Sequence, residues 1–255
     1  MSASNVAGSF NVAKFGGTSV ANFEAMSRCA AIIENNSNTK LVVSSACSGV
    51  TNLLVELANG VQDKTRRQEL VTQLTDIHNT ILAQLADPSS VEKEVHNILD
   101  DIASAAEAAS FQVSTKLTDH LVACGELMST HILAQIIRER GTPAVRFDIR
   151  DVMRTNGDFG KAEPQLKDIA ALAQQKLIPL CQKQVVVTQG FIGADSEGNT
   201  TTLGRGGSDY SAALIAESVQ AIGLEIWTDV PGIYTTDPRI AVSYTHLTLP
   251  TINWV

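Results

Sequence analysis

Two glycine-rich stretches carry the residue types that hold anions. In Lys14-Phe15-Gly16-Gly17-Thr18-Ser19 a lysine and two side-chain-free amides follow an apolar run and precede a helical one. Glycines let backbone N–H groups approach an anion, a helix N-terminus adds partial positive charge, and a lysine supplies a mobile full charge. Phosphate binding by Lys14, Gly16, Gly17, Thr18 and Ser19 is the chemical reading, and a glycine turn with a solvated lysine is the plain one. No Gly-Lys-Ser/Thr triplet at Walker A spacing occurs in the chain, so this is a different kind of loop. The second stretch, Thr200-Thr201-Thr202-Leu203-Gly204-Arg205-Gly206-Gly207-Ser208-Asp209, opens another helical run. Arg205 among glycines presents a planar fork suited to a carboxylate or phosphate, while Ser208 or Asp209 could also serve as a helix N-cap.

Three further stretches place polar groups where a plain fold does not require them. Ser44-Ser45-Ala46-Cys47-Ser48-Gly49-Val50-Thr51-Asn52 ends a strand in small hydroxyl residues, as either a ligand loop or simple turn chemistry. Cys124-Gly125-Glu126-Leu127-Met128-Ser129 sets a carboxylate beside a glycine in an otherwise apolar helix; local sequence favours a surface position for Glu126 over an inward one facing a ligand ammonium. The run from Trp227 through Thr228, Asp229 and Tyr234 to Arg239 combines aromatic surface, hydroxyls and an arginine, a place where a nucleotide could lie. Asp158-Phe159-Gly160 copies a protein-kinase triplet without the companion motifs and is read as coincidence. The histidines show no metal-binding or triad pattern, and no metal-ligating residues are assigned.

These loops need elements to hold them. Phe10–Phe15 and Lys40–Ser45 read as strands around a helix over Phe23–Glu34, where Met26, Ala30 and Ile33 recur at helical spacing. Further on come a helix at Leu117–Glu139, a strand at Ala144–Ile149, a helix at Ile169–Lys176, a strand at Gln184–Thr188, a helix at Ser208–Ala221 and a strand at Leu224–Thr228. Helices alternating with buried-looking strands predict an α/β fold with a mainly parallel sheet covered on both faces. Both glycine-rich loops then belong at the carboxyl edge of that sheet. Asp63–Ser110 breaks the alternation and reads as a helical insertion interrupted at Asp87-Pro88.

The 255 residues are 44% hydrophobic and 18% charged, an ordinary globular composition. A net charge of -8 without a basic patch argues against nucleic acid and anionic membranes as partners. No basic segment followed by an apolar run opens the chain, so a cytoplasmic location is expected. Cys29, Cys47, Cys124 and Cys181 lie far apart and are expected to be buried free thiols.

Taken in order, Lys14–Ser19, Gly125–Ser129, Gln189-Gly190-Phe191, Thr202–Asp209 and Trp227–Tyr234 resemble the aspartokinases, in particular the bacterial lysine-sensitive type. The resemblance runs from Phe10 to Arg239. It implies the amino acid kinase fold, an α/β/α sandwich, and transfer of the ATP γ-phosphoryl group to the side-chain carboxylate of L-aspartate, with Mg2+. By motif it implies Lys14 at the transferring phosphoryl group and Asp209 holding that lysine. Thr51, Glu126, Phe191, Arg205, Gly206 and Ser208 match the positions that hold aspartate, Glu126 at its ammonium and Arg205 at its α-carboxylate. Thr228, Asp229, Tyr234 and Arg239 match the nucleotide-binding stretch.

The same resemblance implies a catalytic domain over residues 10–240, incomplete at its C-terminal end, without the ACT regulatory domains, and a homodimer in the full-length protein. From Ile240 to Val255 there is no Lys, Arg, Asp or Glu, and residues 241–255 are expected to be a non-family tail. Two alternatives stay open: another kinase making an acyl phosphate from a related amino acid, and a non-catalytic domain that only binds aspartate.

Overall fold

The computed structural model of the chain describes residues 9–204 and 206–228. In order it contains β1 (Asn11–Phe15), a 3-10 turn (Gly17–Val20), α1 (Phe23–Asn35), β2 (Thr39–Ser44), α2 (Val50–Ala58), α3 (Lys64–Leu82), α4 (Ser89–Phe111) and α5 (Thr115–Glu139). Then follow β3 (Ala144–Arg146), α6 (Leu166–Leu172) running through a π-helical stretch (Ala173–Leu177) into α7 (Ile178–Cys181), β4 (Val185–Gln189), β5 (Ile192–Ala194), β6 (Thr200–Thr202), α8 (Gly207–Ser218) and β7 (Gly223–Trp227). The main sheet has the order β3-β4-β2-β1-β7, every pairing parallel, and β5 and β6 form a separate antiparallel pair.

Parallel strands covered on both faces are apolar at successive positions, and their side chains divide by parity. Ala13, Phe15, Val42, Val185 and Val187 join the core beneath α1 to α5. Val12, Leu41, Val43 and Val186 join a second core with Ile169, Leu177, Ala212 and Ile215 from the helices of the opposite face. The sandwich expected from the alternating pattern is therefore present.

Among the described residues, α5 is the one helix long and apolar enough to cross a bilayer, yet 89% of its apolar window is buried inside the protein. A helix apolar all round is a core helix when other elements cover it, and α5 packs on α1, α2, α4 and the sheet. Its start is fixed by Ser114, whose Oγ accepts the Leu117 N–H at 3.2 Å.

Two boundaries around the sheet differ from the sequence expectation. The strand expected over Ala144–Ile149 ends at Arg146, because Asp148 accepts from the Arg150 N–H and from the Arg146 and Arg150 guanidinium groups and turns the chain into a 3-10 turn at Ile149–Asp151. α2 begins inside the expected loop Ser44–Asn52, after Gly49 at φ +83°. The helical insertion interrupted at Asp87-Pro88 is present as expected, as two long helices with Pro88 standing at the head of α4.

Candidate active site

A cleft of about 820 Å³ opens where β1, β2 and β4 end and α8 begins. Lys14, Gly17, Thr51, Glu126, Phe191, Gly206, Ser208 and Asp209 all line it, so residues far apart in sequence converge at one sheet edge. Lys14 points from β1 with its side chain 8% exposed, and its Nζ lies 2.6 Å from Asp209 Oδ1 on the first turn of α8. A buried ammonium needs a partner. Asp209, with its side chain 56% exposed, supplies one from the solvent side and aims the cation across the mouth of the cleft.

Glu126 is the second charge. The surface position favoured by local sequence is wrong: the residue is buried at 5% exposure. The reason is Gly125, where a Cβ would stand 2.8 Å from Ala46 Cβ and 3.1 Å from both Leu54 Cδ1 and Val50 Cγ1. Without it, α5 lies directly against the loop after β2, and Ser129 Oγ donates to the Ser45 carbonyl at 2.8 Å across the same contact. Glu126 Oε1 accepts from Ser208 Oγ at 2.8 Å, whereas Oε2 is buried without a hydrogen-bond partner among the described residues. Burial pushes the Glu126 carboxyl up to about 8, against the opposing effects of the Ser208 hydroxyl, the Lys14 charge and the Gly190 backbone N–H.

The head of α8 is set by close backbone approach. A Cβ on Gly190 would stand 3.0 Å from Ser208 Cα, and one on Gly207 would stand 2.8 Å from Phe191 Cδ2. Phe191 adopts φ +63°, a conformation uncommon outside glycine, and its N–H donates to Ser211 Oγ at 2.9 Å. The N-cap of α8 is Gly206, at φ +78° and with no side-chain cap. Ser208 is therefore not the capping residue the sequence allowed; its hydroxyl is turned to Glu126 instead.

The run Lys14–Ser19 divides between two clefts. Gly17 faces the large one, while Thr18 and Ser19 line a smaller one of about 310 Å³ with Arg28, Trp227 and Thr228. Gly16 sits at the divide: a Cβ there would stand 3.6 Å from Lys14 Nζ and 3.8 Å from Thr228 Oγ1. The Trp227 ring stacks on Phe15 at 6.2 Å between centroids. Arg205, Asp229, Tyr234 and Arg239, and the tail 241–255, lie outside the described residues.

A buried carboxylate lining the cleft escaped the sequence reading. Asp119 is 1% exposed and accepts the Gly160 N–H, the Thr202 N–H and the Thr202 hydroxyl. It lies two helical turns before Glu126 on the same face of α5, and that spacing was the available signal. The four cysteines are buried free thiols, as expected.

Comparison with known proteins gives a consistent result. The amino acid kinase family profile matches residues 9–253. The chain is 52% identical over 229 residues to lysine-sensitive aspartokinase 3 of Escherichia coli K12, covering 90% of this chain and 51% of that protein. It is 34% identical to an aspartokinase of Chlamydia pneumoniae, covering 90% of this chain and 49% of the relative. The crystal structure of E. coli aspartokinase III with aspartate and ADP superposes with a TM-score of 0.89 at 50% identity, covering 92% of this chain and 52% of that one. The lysine and aspartate complex of the same enzyme superposes with a TM-score of 0.87 at 51% identity, covering 91% and 52%. The chain thus spans about half the length of the curated relatives it matches.

Proposed function

The chain belongs to the amino acid kinase family, and from that premise we propose that it carries the catalytic site of an aspartokinase, transferring the γ-phosphoryl group of ATP to the side-chain carboxylate of L-aspartate. The observation that carries this reading is the buried Glu126. Its Oε1 is held by Ser208 while its Oε2 has no partner among the described residues, an acceptor suited to a substrate ammonium. The similarity to an enzyme solved with aspartate and ADP supports the same choice of ligands.

The reaction asks for positioning and charge cancellation. A free aspartate side chain is already ionised near pH 7, so the nucleophile needs no general base. One of its oxygens bonds to the γ-phosphorus as the bond from that phosphorus to the β–γ bridging oxygen breaks, and ADP leaves with the electron pair. Lys14, held by Asp209, meets the charge shared by the two anions as they approach, with the Gly17 amide beside it, while the Gly16 N–H is taken by the Trp227 carbonyl at 3.0 Å. Glu126 takes the substrate ammonium, Arg205 takes its α-carboxylate by analogy with the aspartokinases, and Thr51, Phe191, Gly206 and Ser208 form the remaining walls. Thr18, Ser19, Thr228, Asp229, Tyr234 and Arg239 hold the nucleotide in this reading.

Magnesium fits the donors present. Of the carboxylates lining the cleft, Asp119 and Glu126 are buried and hydrogen-bonded, while Asp209 is exposed and pairs with Lys14 through Oδ1. A single exposed carboxylate together with nucleotide phosphates is the hard-oxygen setting Mg2+ takes. When bound, the ion neutralises phosphate charge. The product, 4-phospho-L-aspartate, would enter lysine, threonine and methionine synthesis.

The test is calorimetric titration with L-aspartate and N-acetyl-L-aspartate, alongside hydroxylamine trapping of the acyl phosphate in the presence of MgATP. L-aspartate is expected to bind and to yield the hydroxamate, and the acetylated compound, lacking the ammonium, is expected to do neither. Equal binding of both would sink the assignment of Glu126. Aspartate binding without any hydroxamate would favour the non-catalytic alternative.

A further inference from the structure

We infer that Asp119 is a positioning residue for the amino acid pocket, holding the wall opposite α5 at the distance the Glu126–Ser208 contact requires. The inference rests on the reading that the cleft takes L-aspartate. Asp119 Oδ2 accepts the Gly160 N–H at 2.8 Å and the Thr202 N–H at 2.9 Å, and Oδ1 accepts from the Thr202 hydroxyl at 2.8 Å. Both Gly160 and Thr202 line the cleft.

These bonds close a circuit. From Thr202 the chain passes to Leu203, whose N–H donates to the Phe191 carbonyl at 2.9 Å, and to Gly204, whose carbonyl accepts the Gly207 N–H at 3.0 Å. Ser208 follows and returns to α5 through Glu126 at 2.8 Å. One helix therefore fixes both ends of the segment: Asp119 anchors the β6 end and Glu126 receives the α8 end. Gly160 belongs to the same brace, because its carbonyl stands 3.4 Å from where a Gly204 Cβ would be, and the Ala162 N–H donates to the Thr202 carbonyl at 2.8 Å.

Burying a carboxylate is costly unless its oxygens are satisfied. Burial raises the Asp119 carboxyl above its ordinary value while the Gly160 and Thr202 donors oppose the rise. The side chain is thus spent on backbone and hydroxyl donors of the opposite wall, which is how a residue fixes geometry without touching substrate.

The experiment measures L-aspartate affinity by calorimetry and Tm for the 255-residue chain and four variants. Asp119→Ala removes every acceptor and should weaken aspartate binding by about tenfold or more, on the scale of lost buried hydrogen bonds. Asp119→Asn can still accept both N–H groups through its carbonyl and donate to the Thr202 oxygen, so it should stay within about threefold of the parent. Thr202→Val removes one bond and should give an intermediate loss, which Thr202→Ser should restore. If Asp119→Ala does not fold, the Thr202 pair decides. A fall in Tm with aspartate affinity unmoved in Asp119→Ala or Thr202→Val makes the residue merely structural and overturns the inference. Asn behaving as badly as Ala also overturns it, since the charge rather than the geometry would then matter. No aspartate binding by the parent chain instead removes the underlying reading, and the inference with it.

Discussion

Ser208 Oγ donates to Glu126 Oε1 at 2.8 Å across 82 residues of chain, joining the first turn of α8 to the middle of the buried helix α5. The contact leaves the second carboxylate oxygen buried with no hydrogen-bond partner among the described residues. It also makes the Glu126 charge sensitive to what enters the cleft.

Burial holds the Glu126 carboxyl up to about 8, against about 4.3 in an unfolded chain. Between those values the folded state holds a proton that the unfolded state has released, so this group's contribution to stability falls as pH rises across the window and is level above it. Binding an ammonium runs the other way, because it requires the ionised form. L-aspartate affinity should therefore rise from pH 6 to about 8, and binding at pH 7 should release a proton. Titrations in buffers of different ionisation enthalpy measure both effects. Glu126→Gln should flatten the profile and weaken binding, and Ser208→Ala should move the rise to higher pH.

Lys14 and Asp209 are predicted to act on turnover more than on amino acid binding. Lys14→Ala removes the cation that meets the transferring group, and loss of such a preorganised charge costs on the order of a hundred- to a thousandfold in kcat. The aspartate Kd should change by less than about threefold, consistent with an interaction made chiefly in the transition state. Single-turnover kinetics with MgATP separate the two quantities. A nearly unchanged rate would return Lys14 to the status of a turn residue.

Gly125→Ala tests how the helix is brought to the site. The added methyl would meet Ala46 Cβ at 2.8 Å and the Leu54 and Val50 side chains at 3.1 Å. Overpacking of this kind costs about 1–3 kcal/mol. Thermal or urea unfolding should show that loss, and aspartate binding should weaken as well, because Glu126 rides on the displaced helix. Stability within error of the parent would mean that α5 has room the packing does not suggest.

Gln189 provides a stability test at the end of β4. Its Oε1 accepts the buried Ile149 N–H at 2.9 Å, and its Nε2 donates to Thr130 Oγ1 at 2.8 Å. Gln189→Leu keeps the bulk and leaves the N–H unpaired, which should cost about 1–3 kcal/mol. Gln189→Glu should be worse still near neutral pH, where a charge would be buried. Denaturant midpoints at matched slope measure both.

What the chain states locally was legible without a structure. The apolar runs around β1, β2 and β4 are strands buried on both faces, and the helical spacing of Met26, Ala30 and Ile33 marks the buried side of α1. Glycines at 16, 17, 204, 206 and 207 mark where backbone must come close to something, and parallel topology sends both loops to one sheet edge. Tertiary packing decided the rest. Glu126 looks like a surface carboxylate because its burial depends on Gly125 admitting Ala46, a partner from another loop. Ser208 looks like a helix cap because its real acceptor lies on α5. Lys14–Ser19 reads as one loop but is divided between two clefts by the strand end beneath it. Asp119 shows along the chain only its two-turn spacing from Glu126, since each of its bonds goes to β6 or to the turn at Gly160. Periodicity and turn chemistry act over a few residues and can be read along the chain, whereas burial and charge pairing depend on neighbours that only the folded arrangement supplies.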